Sequence, residues 1–195
     1  MAESNLQTFN HLKIHSQYSI CEGAIKIDDL KEFSKVNKIR SLGLCDTINL
    51  CGALEFSEKI SKIGTQPIIG TQINFKFGDV IGLLPLFALN EKGYKRMIEL
   101  SSLSFLQNDG LSDPHVNFDE LLNKNDGLSV FSGSVFGLFG SLFEKGKLTE
   151  INQAYLKLKT SFGDRFYLEI QRHGDMNETS FEQFNLDKSF NLEIP

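Results

Sequence analysis

The amino-acid sequence predicts an α/β fold in which strands alternate with helices. Short apolar runs of strand length recur along the 195 residues, and most are followed by a polar loop and by apolar residues at helical spacing. In residues 11–24 and 41–56, polar side chains stand directly after the apolar run. Ligands of parallel α/β folds bind at the carboxyl ends of strands, so we expect His15 and Asp46 to face one crevice. The alternation is typical of a (β/α) barrel or of a doubly wound sheet with right-handed crossovers.

The composition is that of an ordinary globular protein and argues against several other classes of protein. With 41% hydrophobic and 23% charged residues, one domain with a substantial core is expected. The net charge of −5 argues against a free-standing protein that binds the nucleic-acid backbone. Three cysteines without a CxxC spacing support neither a disulfide framework nor a zinc ribbon. Because no apolar stretch approaches the ~18–20 residues of a membrane span and no apolar leader is present, we expect a soluble, cytoplasmic protein with no membrane contact.

Strands are predicted from alternating or continuous apolar runs. In the first run, Leu12 and Ile14 lie on one side. The fourth run is almost wholly apolar, as expected for a strand that is buried on both faces. The six predicted strands cover residues 9–15, 41–46, 67–77, 80–89, 127–132 and 165–171.

Helices are predicted where apolar residues recur at spacings of three and four. We expect Gly64 to end the second helix, Asn117 to cap a short one with Glu120 in capping-box position, and Thr149 to cap a later one. In the helix at 91–105, five side chains are expected to face inward: Tyr94, Met97, Ile98, Ser101 and Phe105. The predicted helices cover residues 27–38, 53–63, 91–105, 117–122, a weak helix within 133–146, 149–162 and 178–186.

Six segments of the sequence together indicate a family. They are, in order, HLKIHSQYSICEGAIKIDDL, LCDTINLCGALEF, QPIIGTQINF, ALNEKGYKRMIELSS, DGLSVFSG and FGDRFYLEIQRHG. In this order they resemble the amino-terminal PHP (polymerase and histidinol phosphatase) domain of bacterial DNA polymerase III alpha subunits. The resemblance covers about residues 11–175 and implies a distorted (β/α)7-type, TIM-like PHP barrel. Because Pro195 falls where a loop would deliver a seventh strand, we interpret residues 1–195 as a PHP domain fragment that is truncated before its last strand, with the polymerase domains beyond it.

The resemblance also implies a site in which His, Asp and Glu side chains bind a metal cluster, but three positions depart from the family pattern. The His-x-His motif reads Lys13-Ile14-His15, the Asp-His motif reads Asp46-Thr47, and the third-strand acid is Gln72. Lysine has no lone pair for a metal when protonated, threonine cannot replace an imidazole, and glutamine is a poorer ligand than a carboxylate. We therefore expect no catalytic residue, no bound metal and a vestigial cleft formed by Lys13, His15, Asp46, Thr47, Gln72, Glu169 and His173.

One hypothesis gives Lys13 a role in this degenerate site. Its ammonium would replace the missing metal and pair with Asp46 or Glu169, because carboxylates in a cleft without metal repel one another. The alternative is that Lys13 extends to solvent and has no such role.

The resemblance implies a structural and partner-docking role within a replicative DNA-directed DNA polymerase. The implied partners are the proofreading exonuclease subunit and other polymerase III holoenzyme subunits, with DNA bound through the missing polymerase domains. The alternative is a residual metal-dependent phosphoesterase, either a pyrophosphatase or a 3′–5′ exonuclease. That enzyme would need a cofactor, Zn or Mn, held by His15, Asp46 and Glu169, with or without His173.

Overall fold

The computed structural model describes residues 9–107 and 110–195. The chain divides into two compact units, Met1–Gly70 and Thr71–Pro195. Within the described ranges, no helix has both the length and the apolar character needed to cross a membrane.

The first unit packs two helices against one strand. Helix α1 (Ile27–Val36), strand β1 (Ser41–Thr47) and helix α2 (Ala53–Ser61) follow one another, and the first five residues of β2 (Gln66–Phe77) also belong to this unit. All four elements were predicted from spacing within a few residues of these bounds. The two helices could be predicted because each is amphipathic and its apolar stripe faces a shared core. That core consists of Ile27, Leu30, Leu42, Leu44, Phe56 and Ile60.

The predicted first strand, at residues 9–15, is wrong. This segment has no regular secondary structure, although it lies alongside β1. The amide of Gly43 donates to the carbonyl of His11 (2.7 Å), and the amide of Cys45 donates to the carbonyl of Ile14 (2.8 Å). Two such bonds hold the segment in place without forming a strand ladder.

The second unit contains the remainder of β2 and most of the other elements. In the sheet, β2 is followed by β3 (Val80–Ala88), β5 (Leu128–Phe131) and β6 (Phe166–Tyr167), and β4 (Val116–Asn117) pairs with β2. Together with β1, six strands occur in the described residues. The pairs β2–β4 and β5–β6 are parallel, whereas β3–β5 is antiparallel. The elements are β3 (Val80–Ala88), α3 (Glu91–Leu106), β4 (Val116–Asn117), α4 (Phe118–Asn123), β5 (Leu128–Phe131), α5 (Leu138–Glu144), α6 (Leu148–Phe162), a 3-10 turn (Gly163–Arg165), β6 (Phe166–Tyr167) and α7 (Glu178–Leu192).

This topology corrects the expected regular alternation of strands and helices. β2 and β3 are neighbours in the sheet and are joined by two residues, Gly78 and Asp79, with no helix in this described stretch. Gly78 has φ of +62°, which glycine adopts at little cost in a tight turn. The fold is therefore mixed α/β with a mixed sheet.

Helix α6 carries the aromatic core of the second unit. As predicted, Ile151, Tyr155, Leu158 and Phe162 are buried on one face. The ring of Tyr155 makes edge contacts with Phe139 and Phe166, at centroid distances of 4.7 and 5.6 Å. The predicted cap at Thr149 is wrong, because the helix already begins at Leu148.

Helix α3 presents a different face to the core from the predicted one. Of the five residues expected inward, Met97 is fully buried, but Ile98 and Phe105 are 43% and 55% exposed. Arg96 is buried in their place, because its guanidinium donates to two backbone carbonyls at the end of α4. Hydrophobic spacing alone could not reveal a buried arginine that caps a neighbouring helix.

Three other predicted details differ at the ends of elements. Asn117 does precede α4, but its side chain makes no capping hydrogen bond. Strand β6 spans two residues instead of the predicted seven, since the next amides bond outside the sheet: that of Leu168 donates to the carbonyl of Pro195 (2.8 Å). Helix α7 extends to Leu192, six residues past its predicted end.

Candidate functional site

The carboxylate of Asp46 is the centre of a buried polar cluster in the first unit. Asp46 lies near the carboxyl end of β1 and is 1% exposed. Its Oδ1 accepts hydrogen bonds from the Ser16 amide (2.6 Å) and the Ser19 hydroxyl (2.7 Å), and its Oδ2 accepts one from the Ser16 hydroxyl (2.8 Å). A buried carboxylate has to be paired or hydrogen-bonded. These three donors stabilise Asp46 and fix the loop at 16–23 against the end of β1.

Thr47 extends the same cluster along the loop. Its backbone amide donates to the hydroxyl oxygen of Ser19 (3.0 Å), and its own hydroxyl donates to the carboxylate of Glu22 (2.5 Å). The Ser19 hydroxyl therefore donates to Asp46 and accepts from Thr47. Thr47 acts here as a hydrogen-bonding contact of the loop.

Two residues beside the cluster have a left-handed backbone. Cys21, in the loop, has φ of 64°, and Ile48, directly after β1, has φ of 60°. The conformation is least favourable for Ile48, because its Cβ is branched. Such strain persists where surrounding contacts determine the backbone.

A chain of polar contacts joins the loop to both helices of the first unit. The Tyr18 hydroxyl donates to Glu55 (2.7 Å), and Lys59 donates to Glu55 (2.7 Å) and pairs with Asp28 (2.7 Å). The hydrogen bond to Glu55 raises the pKa of Tyr18. The hydrogen bonds from Lys59 and then from Tyr18 lower the pKa of Glu55. Asp28 is exposed, and the side chains of Glu55 and Lys59 are each 31% exposed, so these contacts orient the loop more than they stabilise the fold.

The predicted site residues of the first unit lie on two segments that are side by side. Lys13 and His15 are half-buried, whereas His11 is exposed. The bonds from Cys45 to Ile14 and from Ser16 to Asp46 bring residues 13–16 alongside residues 45–47. The segment that carries His15 therefore lies alongside β1, and the shared crevice of His15 and Asp46 stays a prediction.

The other three predicted site residues belong to the second unit. Gln72 lies in β2 and is 5% exposed. Glu169 follows β6; its amide donates to the Ser132 hydroxyl oxygen (2.8 Å), and its Oε1 accepts from the side-chain amide of Gln171. His173 is exposed, and its ring Nε2 lies 3.3 Å from Oε1 of Gln171.

The loop around His173 is organised by Glu178, which the sequence did not single out. The Glu178 carboxylate accepts hydrogen bonds from the amides of His173 (2.8 Å), Gly174 (2.8 Å) and Asp175 (3.2 Å). Burial by itself would raise the pKa of Glu178, but these amides outweigh it and the pKa is lowered. The carboxylate thus holds the loop to the start of α7.

Against models of protein families, residues 11–173 match the PHP domain. The range contains the Asp46 cluster and all seven predicted site residues. The chain belongs to the PHP domain family.

Curated relatives of this PHP domain are DNA polymerase III alpha subunits. The one from Caulobacter vibrioides is 35% identical over 208 residues, covering 100% of this chain and 18% of the relative. The one from Rickettsia felis is 35% identical over 188 residues, covering 96% and 16%. The chain therefore spans less than a fifth of the length of these relatives and corresponds to their amino-terminal part. Among solved structures, an amidohydrolase from Chromobacterium violaceum has 17% identity and a TM-score of 0.40, covering 49% of this chain and 33% of the other.

The polar side chains of this PHP domain are a poor fit to a metal cluster. The Lys13 ammonium has no lone pair, and both oxygens of Asp46 already accept hydrogen bonds from serines. Within residues 9–107 and 110–195, no three His, Cys, Asp or Glu side chains form a group that could hold a metal ion.

Sequence reasoning located Asp46 but missed the residues that bind it. Neither Ser16 nor Ser19 was predicted to bind Asp46, and Glu22, which accepts a hydrogen bond from Thr47, was not singled out either. Their contacts span 25 to 30 residues of chain. The only signal was compositional, since the loop SQYSICEG concentrates polar side chains after a strand-like run.

Proposed function

We propose that this PHP domain is a structural and partner-docking module with a degenerate metal site, and that it serves at the amino terminus of a DNA polymerase III alpha subunit. The family match and the two relatives support the proposed place of the domain at the amino terminus of such a subunit. DNA synthesis by the whole polymerase would be supplied by domains beyond this chain. A cytoplasmic location and residues 1–195 as one PHP domain fragment are part of the same proposal.

The observation that carries the degenerate site is how Asp46 is bound. An ionised carboxylate offers about four lone-pair sites, and three of them meet Ser16 and Ser19 at 2.6–2.8 Å. A metal that took the place of one of these donors would break that donor's hydrogen bond to Asp46. The substitutions at Lys13, Thr47 and Gln72 act in the same direction, so no resident metal and no phosphoesterase chemistry are proposed.

The vestigial cleft of this proposal contains the seven residues named from the sequence. Within it, the ammonium of Lys13 pairs with Asp46, which belongs to the same unit, and supplies the positive charge that a metal would bring. Lys13→Met tests this pairing, with Lys35→Met on α1 as the control at an exposed position. We expect a lower melting temperature for Lys13→Met alone, and equal melting temperatures would contradict the pairing.

The complete barrel is also a proposal. A distorted (β/α)7-type, TIM-like barrel, truncated before its last strand, agrees with the family match and with the parallel pair β5–β6. The proposed partners are the proofreading exonuclease subunit and other polymerase III holoenzyme subunits. Co-sedimentation of the chain with a purified exonuclease subunit tests docking directly, and failure to co-sediment at micromolar concentration would contradict it.

Metal analysis tests the degenerate site against the alternative. We expect the chain, purified without chelator, to contain far less than one Zn or Mn per molecule and to leave pyrophosphate and a 3′-terminal phosphodiester intact with either metal added. Two or more ions per chain that are lost in Asp46→Ala and His15→Ala would favour the residual phosphoesterase, in which His15, Asp46 and Glu169 are ligands.

A further inference from the structure

A buried amide in the second unit has a polar atom that the protein does not satisfy. Asn185, on α7, is 1% exposed, and its Oδ1 accepts a hydrogen bond from the Tyr155 hydroxyl (2.8 Å). Its Nδ2 has no hydrogen-bond partner in the part of the chain that the structure describes. Burying an amide nitrogen without a partner costs free energy, and native proteins satisfy nearly all such groups.

The orientation of this amide follows from its neighbour. Tyr155 is fully buried, and burial raises its pKa above the ordinary value, so the hydroxyl stays protonated and able to donate. The Tyr155 hydroxyl donates to Oδ1 of Asn185, so the amide nitrogen lies on the opposite side. Turning the amide by half a turn would still leave one polar atom facing that side.

A small cavity lies beside Asn185. Its volume is about 10 Å³, and its wall includes Ser134, Glu169, Glu178, Phe181 and Asn185. A single water molecule needs roughly 10–15 Å³ of such space and two to four polar partners. The wall offers the amide of Asn185 as a donor, and the hydroxyl of Ser134 and the two carboxylates as acceptors.

We propose that one buried water molecule binds in this cavity, accepting a hydrogen bond from the Asn185 amide and donating to oxygen atoms of the wall. The water joins α7 to the segment that follows β6, where Glu169 lies. Helix α7 lies outside residues 11–173, which match the PHP family model. A water at this point gives α7 a specific role, which is to hold the backbone beside one residue of the proposed cleft.

Water-selective NMR on the full, ¹⁵N-labelled 195-residue chain tests the proposal. We expect a cross peak between water and the Asn185 side-chain amide, with the sign of a water that stays bound longer than the protein takes to tumble. Tyr155→Phe keeps the amide and the cavity wall and should retain the cross peak, whereas Asn185→Leu should lose the long-lived water signal at Gln171 and Phe181.

The wild-type spectrum decides the matter even if the leucine variant does not fold. A well-dispersed wild-type spectrum without a long-lived water contact at Asn185 would overturn the proposal. A contact that appears only after Na⁺, K⁺ or Mg²⁺ is added would also overturn it, because the occupant would then be a cation.

Discussion

Replacing Asp46 by alanine removes the acceptor that holds the loop at 16–23, so the variant should be strongly destabilised. Hydrogen bonds to an ionised group contribute about 1.5–3 kcal/mol each, and Asp46 accepts three of them in a fully buried position. The contributions are not additive, since the loop can relax and admit water. We therefore expect Asp46→Ala to lower the free energy of unfolding by about 3–5 kcal/mol.

Urea denaturation followed by circular dichroism measures this loss, and two further variants make the measurement specific. Ser19→Ala removes one of the three donors and should cost about 1–2 kcal/mol. In a double-mutant cycle, Asp46→Ala and Ser19→Ala should be coupled by about 1–2 kcal/mol, because the two side chains are in direct contact.

Two results would refute the reasoning. One is a cost for Asp46→Ala below about 1 kcal/mol, which is the range of ordinary surface substitutions. The other is a wild-type chain that gains its stability only when Zn or Mn is added, because Asp46 would then act as a metal ligand instead of an acceptor for serine hydroxyls.

Three other predictions concern backbone strain, the core and pH. Ile48→Gly should raise the free energy of unfolding by up to about 1 kcal/mol in urea denaturation, because glycine relieves the left-handed strain; a loss of stability would contradict this. Leu158→Ala, at a fully buried position, should cost about 2–5 kcal/mol, whereas Leu156→Ala, at a side chain that is 50% exposed, should cost under about 1 kcal/mol; equal costs would contradict the assigned face of α6. The lowered pKa of Glu178 contributes stability that is fully present above its ordinary pKa of 4.5 and is lost as the pH falls through the lowered value. Glu178→Gln should therefore be less stable than the wild type at neutral pH, and acid denaturation should show the difference shrinking below about pH 4; a constant difference would contradict the assignment.

The helices and central strands were predictable because their apolar residues recur at a regular spacing in the sequence. A helix such as α6 shows its buried face as a spacing of three and four, and burial of Ile151, Tyr155 and Leu158 confirms it. The segments at 9–15 and 168–171 have strand-like composition too. Whether such a segment forms a β-ladder depends on which carbonyls accept hydrogen bonds from its amides. The Leu168 amide donates to the carbonyl of Pro195, 27 residues further along the chain.

The position of Asp46 was predictable, but its contacts were not. Asp46 was expected at a strand end, and the structure places it there. Its binding by Ser16 and Ser19 depends on how one loop folds back over β1, and hydroxyl groups have no periodic pattern in a sequence. Arg96 illustrates the same limit in the second unit, because a buried arginine is explained only by the carbonyls that it meets.

The Asp46 cluster makes metal binding and loop stability competing uses of one carboxylate. A divalent ion needs lone pairs of Asp46, yet the Ser16 amide and hydroxyl and the Ser19 hydroxyl approach those lone pairs within 2.8 Å. A metal that displaced the Ser19 hydroxyl from Asp46 would also disturb the hydrogen bond from the Thr47 amide to Ser19. Added metal should therefore leave the melting temperature unchanged or lower it if the loop cluster is the native arrangement, and should raise it if the family's metal cluster persists.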